Sequence, residues 1–489
     1  MKRPLKELFL HFFVYGIGSV AQSAVTFLLL PLLTNKLSTA DFGVFSLIQM
    51  CGAIAATIFY FGISSALSRS YFDYELEKDR NIVFSTSFYL IVLGAILQVM
   101  CGFFFRNHLS EYLFGTAQWG DHIFWTLTGT AIAFVNQIFY NYMRFVKWSR
   151  IVSISGVLTL LLNIGISYFL LVYSSMGVMA PIMGALFSSL IIFIYLLYVC
   201  RGVLVAQINR PEIKILIMFG IPNMLASVAA MVMEWSNRFF LNKYLSVEDA
   251  GVYTVGARAA SIISIILIAP FAQVWNPIMM ENRTNEGKGA MFTKVTTYYM
   301  TIGVVGIIFC SLFFVEFLHA IIPKPDYYRG IQLTPILMLG VLINGLNNIV
   351  SAGLFYERKM QYLVYVYGVV AIVSTILNAS LIPYFGYSAA AWAALLTYTL
   401  VPLLTYAVSK RFQAIDFEVK KVFLGVILCL CVVSFIGYLD FIPLLYRLLL
   451  KTSIFIGCVF FVWIFVFDSS EKSEVSKILR LRRIGDAHK

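Results

Sequence analysis

Residues 35–45 of the chain read NKLSTADFGVF, and residues 242–253 read NKYLSVEDAGVY. When Tyr244 is treated as an insertion, seven positions are identical, and the last pair, Phe45 and Tyr253, is an aromatic exchange. Each copy follows one long apolar segment and precedes the next. Each also contains Ser-x-x-Asp, the pattern in which a serine hydroxyl and a carboxylate three residues later cap the start of a helix. The repeat predicts a duplicated helical bundle, an arrangement typical of transporters.

The composition predicts an integral membrane protein. The chain is 60% hydrophobic and 12% charged, with a mean hydropathy of +0.85, which is far from the values of soluble domains. About fourteen apolar stretches are long enough to cross about 30 Å of hydrocarbon. Because a spanning segment must satisfy its own backbone polar groups, we expect an all-α bundle. The predicted spans are 10–33, 43–66, 82–105, 122–143, 151–173, 178–200, 213–236, 251–276, 293–318, 331–355, 363–384, 387–409, 420–439 and 444–467.

The distribution of basic residues predicts the orientation. Most of the 36 lysine and arginine residues fall in the segments that share a side with the N-terminus. By the positive-inside rule, both termini are therefore expected in the cytoplasm. The net charge of +12 is explained by basic loops facing anionic lipid, so nucleic acid is not a predicted partner.

The repeat and the spans together predict four parts of the chain. Six helices in each half is an even number, so the second half should enter the membrane in the same direction as the first, as parallel repeats do. The parts are an N-lobe of helices 1–6 (1–205), a C-lobe of helices 7–12 (206–410), an extra pair of helices 13–14 (411–467) and a basic cytoplasmic tail (468–489).

Motifs of common enzymes were not found. The seven cysteines lie within predicted spans without a Cys-x-x-Cys pair, so we interpret them as small apolar residues rather than metal ligands. No Walker A motif, no GxGxxG and no convincing catalytic constellation is present. The first helix follows a short basic lead and is expected to remain uncleaved. These observations predict neither a catalytic residue nor a metal site.

Polar residues at membrane depth are the candidates for function, because they are costly there and usually face an interior cavity. Asn223, Glu234 and Arg238 share a stripe of the seventh predicted span, and Arg258 enters the eighth about as deeply as Arg238. Arg238 could alternatively extend to the surface, and Glu234 with Arg238 could be a structural ion pair. For Arg258 we favour a cavity role.

Weaker polar stripes occur on other predicted helices. For any single residue, hydrogen bonding between helices is the better interpretation, and Asn163 and Asn378 are assigned to packing. Taken together, the stripes predict a polar central cavity between the lobes. The residues placed in it are Gln22, Asn141, Asn344 and Asn347.

Two stretches resemble a known family. The sequence LPLLTNKLS at 30–38, followed by ADFGVF, is similar to the opening of the polysaccharide-transport (Wzx-type) lipid-linked oligosaccharide flippases. These belong to the multidrug/oligosaccharidyl-lipid/polysaccharide (MOP) exporter superfamily, which is MATE-like. FGIP at 219–222 and DAGVY at 249–253 resemble the start of that family's second lobe. The similarity covers nearly the whole chain in layout, although its motifs are short.

The resemblance implies a flippase rather than an enzyme. It would move undecaprenyl-diphosphate-linked oligosaccharide repeat units of O-antigen, capsule or exopolysaccharide across the bacterial cytoplasmic (inner) membrane. Two V-shaped lobes would alternate between inward and outward openings around a cationic cavity. Arg238 and Arg258 would bind the head group in the cavity. The predicted contacts at the inner mouth are Arg144, Lys147 and Arg358, which the positive-inside bias alone could also explain.

The resemblance also implies partners and an energy source. The expected partners are the undecaprenyl-diphosphate glycan, membrane lipids and the polysaccharide polymerase machinery. No cofactor is expected. A coupling ion, H⁺ or Na⁺, would use Glu234, the one carboxylate nominated near mid-membrane.

Three alternative functions remain open at this point. A MATE-type drug or cation exporter is disfavoured by the extra pair of helices and by arginines outnumbering the carboxylate. A lipid II flippase is closer, and the residues do not decide against it. A membrane glycosyltransferase or polymerase usually needs a sizeable outward loop, which this chain lacks.

Overall fold

The structure is a computed structural model in which every regular element is a helix, within the residues it describes. These are residues 28–281, 288–322, 324–357, 359–412, 419–436 and 444–465. The helices of the first half of the chain are α1 (28–36), α2 (Thr39–Phe59), α3 (Ile63–Asp73), α4 (Glu77–Phe114), α5 (Gly120–Phe145), α6 (Ser149–Tyr173) and α7 (Met179–Cys200). Those of the second half are α8 (Arg210–Tyr244), α9 (Val247–Ala260), α10 (Ala269–Glu281), α11 (Lys288–Phe309), α12 (Val315–Ile321), α13 (Tyr328–Gln332), α14 (Thr334–Gly345), α15 (Asn347–Val350), α16 (Ala352–Tyr356), α17 (Tyr362–Ser409), α18 (Val419–Ile436) and α19 (Leu444–Phe465).

The helices are those of a multi-pass membrane protein. Among the described residues, eleven helical segments are long and apolar enough to cross a bilayer, and 421–435 forms a shorter apolar helix. The long helix α17 contains two of the predicted spans, which Gly386 separates with a φ of 65° and a ψ of −150°. The predicted span 10–33 is described only from residue 28. The predicted all-α membrane fold is confirmed, whereas the division into lobes stays a prediction.

The second predicted span, 43–66, consists of two helices rather than one. Phe61 (φ 52°) and Gly62 (φ 63°) turn the chain between α2 and α3. Left-handed backbone of this kind favours glycine. The backbone at Gly62 lies directly against the backbone at Gly220 of α8. A Cβ on either glycine would therefore overlap backbone of the other segment. This break therefore brings the first half of the chain against the second.

The two copies of the repeat begin α2 and α9, as their capping pattern predicts. Ser38 Oγ accepts a hydrogen bond from the Asp41 backbone N–H at 3.0 Å. Ser246 Oγ accepts one from the Asp249 backbone N–H at 3.1 Å. Each serine thereby satisfies an N–H group that the first turn of a helix leaves without a partner.

The two copies also pack against each other. A Cβ on Gly43 would overlap the backbone at the start of α9, and one on Gly251 would overlap the backbone of α2. One turn further along each helix, the hydroxyls of Ser46 and Thr254 lie 2.7 Å apart, and both residues are buried. We call this contact, formed by Gly43 and Ser46 against Gly251 and Thr254, the motif seam. The end of the bundle at which it lies is the motif end.

Further contacts between the two halves close the motif end. Lys324 Nζ donates a hydrogen bond to the carbonyl of Leu37 at 2.6 Å. Asn242 Nδ2 donates to the carbonyl of Leu113 at 2.8 Å. The lysine and asparagine belong to the second half and the two carbonyls to the first, so both bonds hold the halves together beside the motif seam.

The last helix, α19, is attached through charged groups. Glu316 Oε1 forms ion pairs with Lys451 Nζ at 2.9 Å and with Arg447 Nε at 3.1 Å. Lys451 is only 2% exposed. Because a charge is costly to bury unless it is paired, this cluster fixes how α19 sits on α12.

Candidate functional site

A cavity of about 360 Å³ lies between the two halves of the chain, next to the motif seam. It is lined by α1, α2, α6, α7, α8 and α9. Its polar and charged lining residues are Gln49, Asn163, Glu234, Arg238, Arg258 and Ser261. The three charged residues of this set are the ones that the sequence nominated most strongly for a cavity.

Arg238 is buried, with 6% of its surface exposed, and its guanidinium is fixed. Its Nε donates to Thr254 Oγ1 at 3.1 Å, and a terminal nitrogen donates to the backbone carbonyl of Glu234, also at 3.1 Å. The group also lies over the Trp235 ring, 4.3 Å from the centroid, where the ring quadrupole attracts a cation. Arg238 is therefore held at the cavity wall rather than extended to the surface.

Arg258 lies one turn after Thr254 on α9 and reaches across to the first half of the chain. Its guanidinium carbon is 5.2 Å from the ring centroids of both Phe42 and Phe45. No residue that the structure describes accepts a hydrogen bond from this guanidinium or forms an ion pair with it. An arginine has five N–H donors, so Arg258 presents donors without acceptors to the cavity.

Glu234 is exposed to the cavity but does not neutralise the arginines. Within the described stretches its carboxylate makes no ion pair, and Arg238 binds the backbone carbonyl of Glu234 instead. Among the described lining residues, the cavity thus contains two guanidinium groups and one carboxylate. Because like charges repel more strongly where water is excluded, this arrangement favours an anionic ligand.

Four predicted cavity residues lie outside this lining: Asn141, Asn223, Asn344 and Asn347. Asn223 is exposed and donates to the carbonyl of Phe219 in its own helix at 3.1 Å. Asn347 Nδ2 donates to the Tyr367 hydroxyl at 3.3 Å, which ties α15 to α17. The Asn347 bond joins two helices, as the sequence analysis favoured for any single polar residue, whereas the Asn223 bond lies within one helix. Substrate contact by the four asparagines stays a prediction.

Two of the three predicted mouth residues, Arg144 and Lys147, lie at the end of the bundle opposite the motif end. Arg144, at the end of α5, is exposed and donates to Asn141 Oδ1 at 3.4 Å. Lys147 follows in the next turn and is exposed. Arg358 and Gln22 lie outside the described residues. Contact between any of these residues and a head group stays a prediction.

The sequence analysis did not place several of the lining residues in the cavity, among them Trp235, Asn163 and Ser261. Trp235 and Ser261 were not nominated, and Asn163 was assigned to packing. Asn163 Oδ1 does accept a hydrogen bond from Ser167 Oγ at 3.3 Å, so it has a packing role as well. The available signal was spacing, because Trp235 and Ser261 each stand three residues from a cavity arginine.

Comparison with known proteins identifies the family and the fold. Residues 10–283, more than half of the chain, match the family described as "Polysaccharide biosynthesis protein". A protein of the Lsg locus of Haemophilus influenzae is 24% identical over 263 residues, which are 52% of this chain and 62% of that relative. The match therefore spans less than two thirds of the relative's length.

Two solved structures share the fold at low identity. The lipid II flippase MurJ, in an inward closed conformation, aligns over 93% of this chain and 99% of its own, with a TM-score of 0.72 and 14% identity. A multidrug resistance MATE family transporter of the MOP superfamily, in an inward-facing conformation, aligns over 82% of this chain and 95% of its own, with a TM-score of 0.63 and 14% identity. The matched family region contains both copies of the repeat and all three charged cavity residues. The chain has the fold of the MOP superfamily transporters, and it belongs to the polysaccharide biosynthesis protein family.

Proposed function

We propose that this protein is a flippase that moves undecaprenyl-diphosphate-linked oligosaccharide repeat units across the bacterial cytoplasmic membrane by alternating access. The observation that carries the proposal is the cationic cavity between the halves, with Arg238 fixed at its wall and Arg258 without an acceptor among the residues that the structure describes. The family match and the likeness to a lipid II flippase support the same class of cargo.

The chemistry of the cargo explains why arginines would line such a cavity. A diphosphate head group must leave water to cross the membrane, which is costly unless its charge is compensated. A guanidinium offers a planar fork that matches phosphate oxygens in two hydrogen bonds. Arg238 is already desolvated, so no large rearrangement of its own water is needed when the anion arrives. The lipid chain would remain in the bilayer.

The proposed orientation places the motif end towards the outside and both termini in the cytoplasm. This follows from the positive-inside rule, since Arg144 and Lys147 belong to the opposite end of the bundle. In this orientation the contacts of the motif end separate the cavity from the outer side. Handover of the glycan to polysaccharide polymerase machinery on that side remains part of the proposal.

Glu234 is the proposed site of coupling to H⁺ or Na⁺. Its carboxylate shares the cavity with both arginines and has no ion-pair partner in the described stretches. Uptake of a cation by Glu234 would raise the positive charge of the cavity and strengthen binding of an anion. Full transport and unchanged ion dependence in Glu234→Gln would exclude this role.

A lipid II flippase is the second candidate, since the MurJ structure covers nearly the whole chain. We propose that this cavity would treat the two cargoes alike at the head group, because both are diphosphate-linked glycans. A drug exporter for cations is less compatible with the site, because two guanidinium groups would repel such a cargo.

The test uses a strain that lacks the gene and carries the wild type or a variant. We expect the undecaprenyl-diphosphate glycan to accumulate on the cytoplasmic face without the gene and to be cleared by the wild type. Arg258→Ala should fail to clear it, whereas Arg106→Ala, which removes a partly exposed arginine paired with Asp121, should succeed. Normal translocation without the gene, in a strain with no second flippase, would refute the proposal.

A further inference from the structure

Ser46 and Thr254 occupy the same position in the two copies of the repeat. Each follows directly on the last residue of the repeated motif, and the two are 208 residues apart. Their hydroxyl oxygens lie 2.7 Å apart at the motif seam, and each residue is 1% exposed. A hydroxyl pair from the two halves therefore meets where water is excluded.

The Thr254 hydroxyl has a complete set of partners. It donates its only proton to the carbonyl of Ala250 at 2.7 Å, so its oxygen is left with two acceptor positions. Arg238 Nε occupies one of them at 3.1 Å. Ser46 lies at hydrogen-bond distance from the other and must therefore be the donor. One oxygen thus joins the cavity arginine to the opposite half of the protein.

The seam also lies beside Arg238, on the side of the guanidinium that Thr254 contacts. Arg238 is 6% exposed while Ser46 and Thr254 are in contact. Separation of the two helices would admit water to this side of the guanidinium. Since the attraction between two charges falls as the local dielectric constant rises, a hydrated Arg238 would hold an anion less tightly.

We propose that Ser46 and Thr254 are positioning residues that couple closure of the motif seam to anion binding by Arg238. A closed seam fixes and desolvates the guanidinium, so the head-group anion binds more tightly in that state. By linkage, the bound anion stabilises the closed seam to the same extent, and opening of the seam promotes release. This inference rests on the proposed function, because it takes a diphosphate as the cargo's anionic part.

The test measures the seam directly with spin labels on the purified full chain in lipid nanodiscs. The labels are attached at Lys36→Cys and Glu248→Cys, two exposed positions at the motif end, with the seven native cysteines replaced by alanine. Inorganic pyrophosphate is the probe, and its binding is measured by calorimetry. We expect pyrophosphate to enlarge the short-distance population of the wild type.

Four variants separate positioning from a general loss of stability. Ser46→Ala should raise the ratio of open to closed populations about fivefold, the equivalent of one hydrogen bond of about 1 kcal/mol, and pyrophosphate should reverse the change. Thr254→Val should open the seam as well, but pyrophosphate should no longer restore it, because Arg238 has lost its support. Thr254→Ser keeps the hydroxyl and should behave as the wild type does. Ser87→Ala removes a buried hydroxyl that bonds only within its own helix and should have no effect.

The outcomes distinguish this inference from the proposed function. An unchanged distance distribution in Ser46→Ala would overturn the coupling alone, as would full recovery of Thr254→Val by pyrophosphate. Wild-type protein that binds no pyrophosphate would overturn the coupling and the proposed head-group site together.

Discussion

Replacement of Glu316 by glutamine tests how α19 is held in place. The carboxylate of Glu316 pairs with Lys451 at 2.9 Å and with Arg447 at 3.1 Å. Glutamine has nearly the same shape but no charge, so the substitution removes the negative charge that both cations face. Lys451 is 2% exposed and has little access to water that could replace the lost partner.

The expected loss of unfolding free energy depends on the burial of the charges rather than on the distance between them. Two unit charges about 2.9 Å apart attract by about 6 kcal/mol at an effective dielectric constant of about 20, and desolvation offsets part of this. Removing one partner of a buried pair typically costs about 3–5 kcal/mol. We expect Glu316→Gln to lower the free energy of unfolding by about 3 kcal/mol. The exposed pair Arg106–Asp121 has a similar distance, 2.8 Å, yet Asp121→Asn should cost less than about 1 kcal/mol.

The assay is reversible unfolding of the purified chain from mild detergent by sodium dodecyl sulfate, read as the free energy of unfolding. A double-mutant cycle with Lys451→Met isolates the pair. Because methionine removes the buried charge, Glu316→Gln with Lys451→Met should be more stable than Glu316→Gln alone. A double variant that is less stable than this single variant, or equal losses for Glu316→Gln and Asp121→Asn, would refute the argument.

Three further substitutions test close contacts elsewhere in the fold. Gly43→Leu should force the motif seam apart, because its side chain would overlap the backbone of Val247, and labels at the motif end should report longer distances. Gly62→Ala places a Cβ at a position that has a positive φ and lies against backbone, so thermal unfolding should show that stability falls by at least about 1 kcal/mol. Tyr74→Phe removes a 3.0 Å hydrogen bond to the buried carboxylate of Glu212 and should cost about 1–3 kcal/mol in the same assay, whereas an unchanged midpoint would contradict this.

The bundle could be predicted from the sequence because its determinants are local. The length of an apolar run decides whether it spans a bilayer, and Ser-x-x-Asp marks a helix start wherever it occurs. Glu234, Arg238 and Arg258 were found for a similar reason, since a charged residue inside an apolar run is rare and can be recognised in that run alone. Charge and run length are properties that a single segment carries by itself.

The rest of the site depends on neighbours that spacing does not specify. The stripe that contains Asn347 predicted a polar face, but the partner of that face is Tyr367 of a different helix. Aromatic residues are ordinary in membrane helices, so residue type alone did not distinguish Trp235 or Phe45 as a support for an arginine. The break at Gly62 is fixed by its contact with α8, and the apolar stretch in which it lies gives no sign of that contact.

The pairing of Ser46 with Thr254 has the form of an isologous interface, in which a residue of one subunit meets its own counterpart in the other. A gene duplication that fused two such subunits would have preserved this contact while releasing the surrounding positions to diverge independently. The cavity arginines illustrate that freedom. The positions of the first copy that correspond to Arg238 and Arg258 are Pro31 and Met50, so the positive charge belongs to one copy only. Two identical copies would have carried the same residue at both positions, so this difference in charge between the copies would have arisen after the duplication.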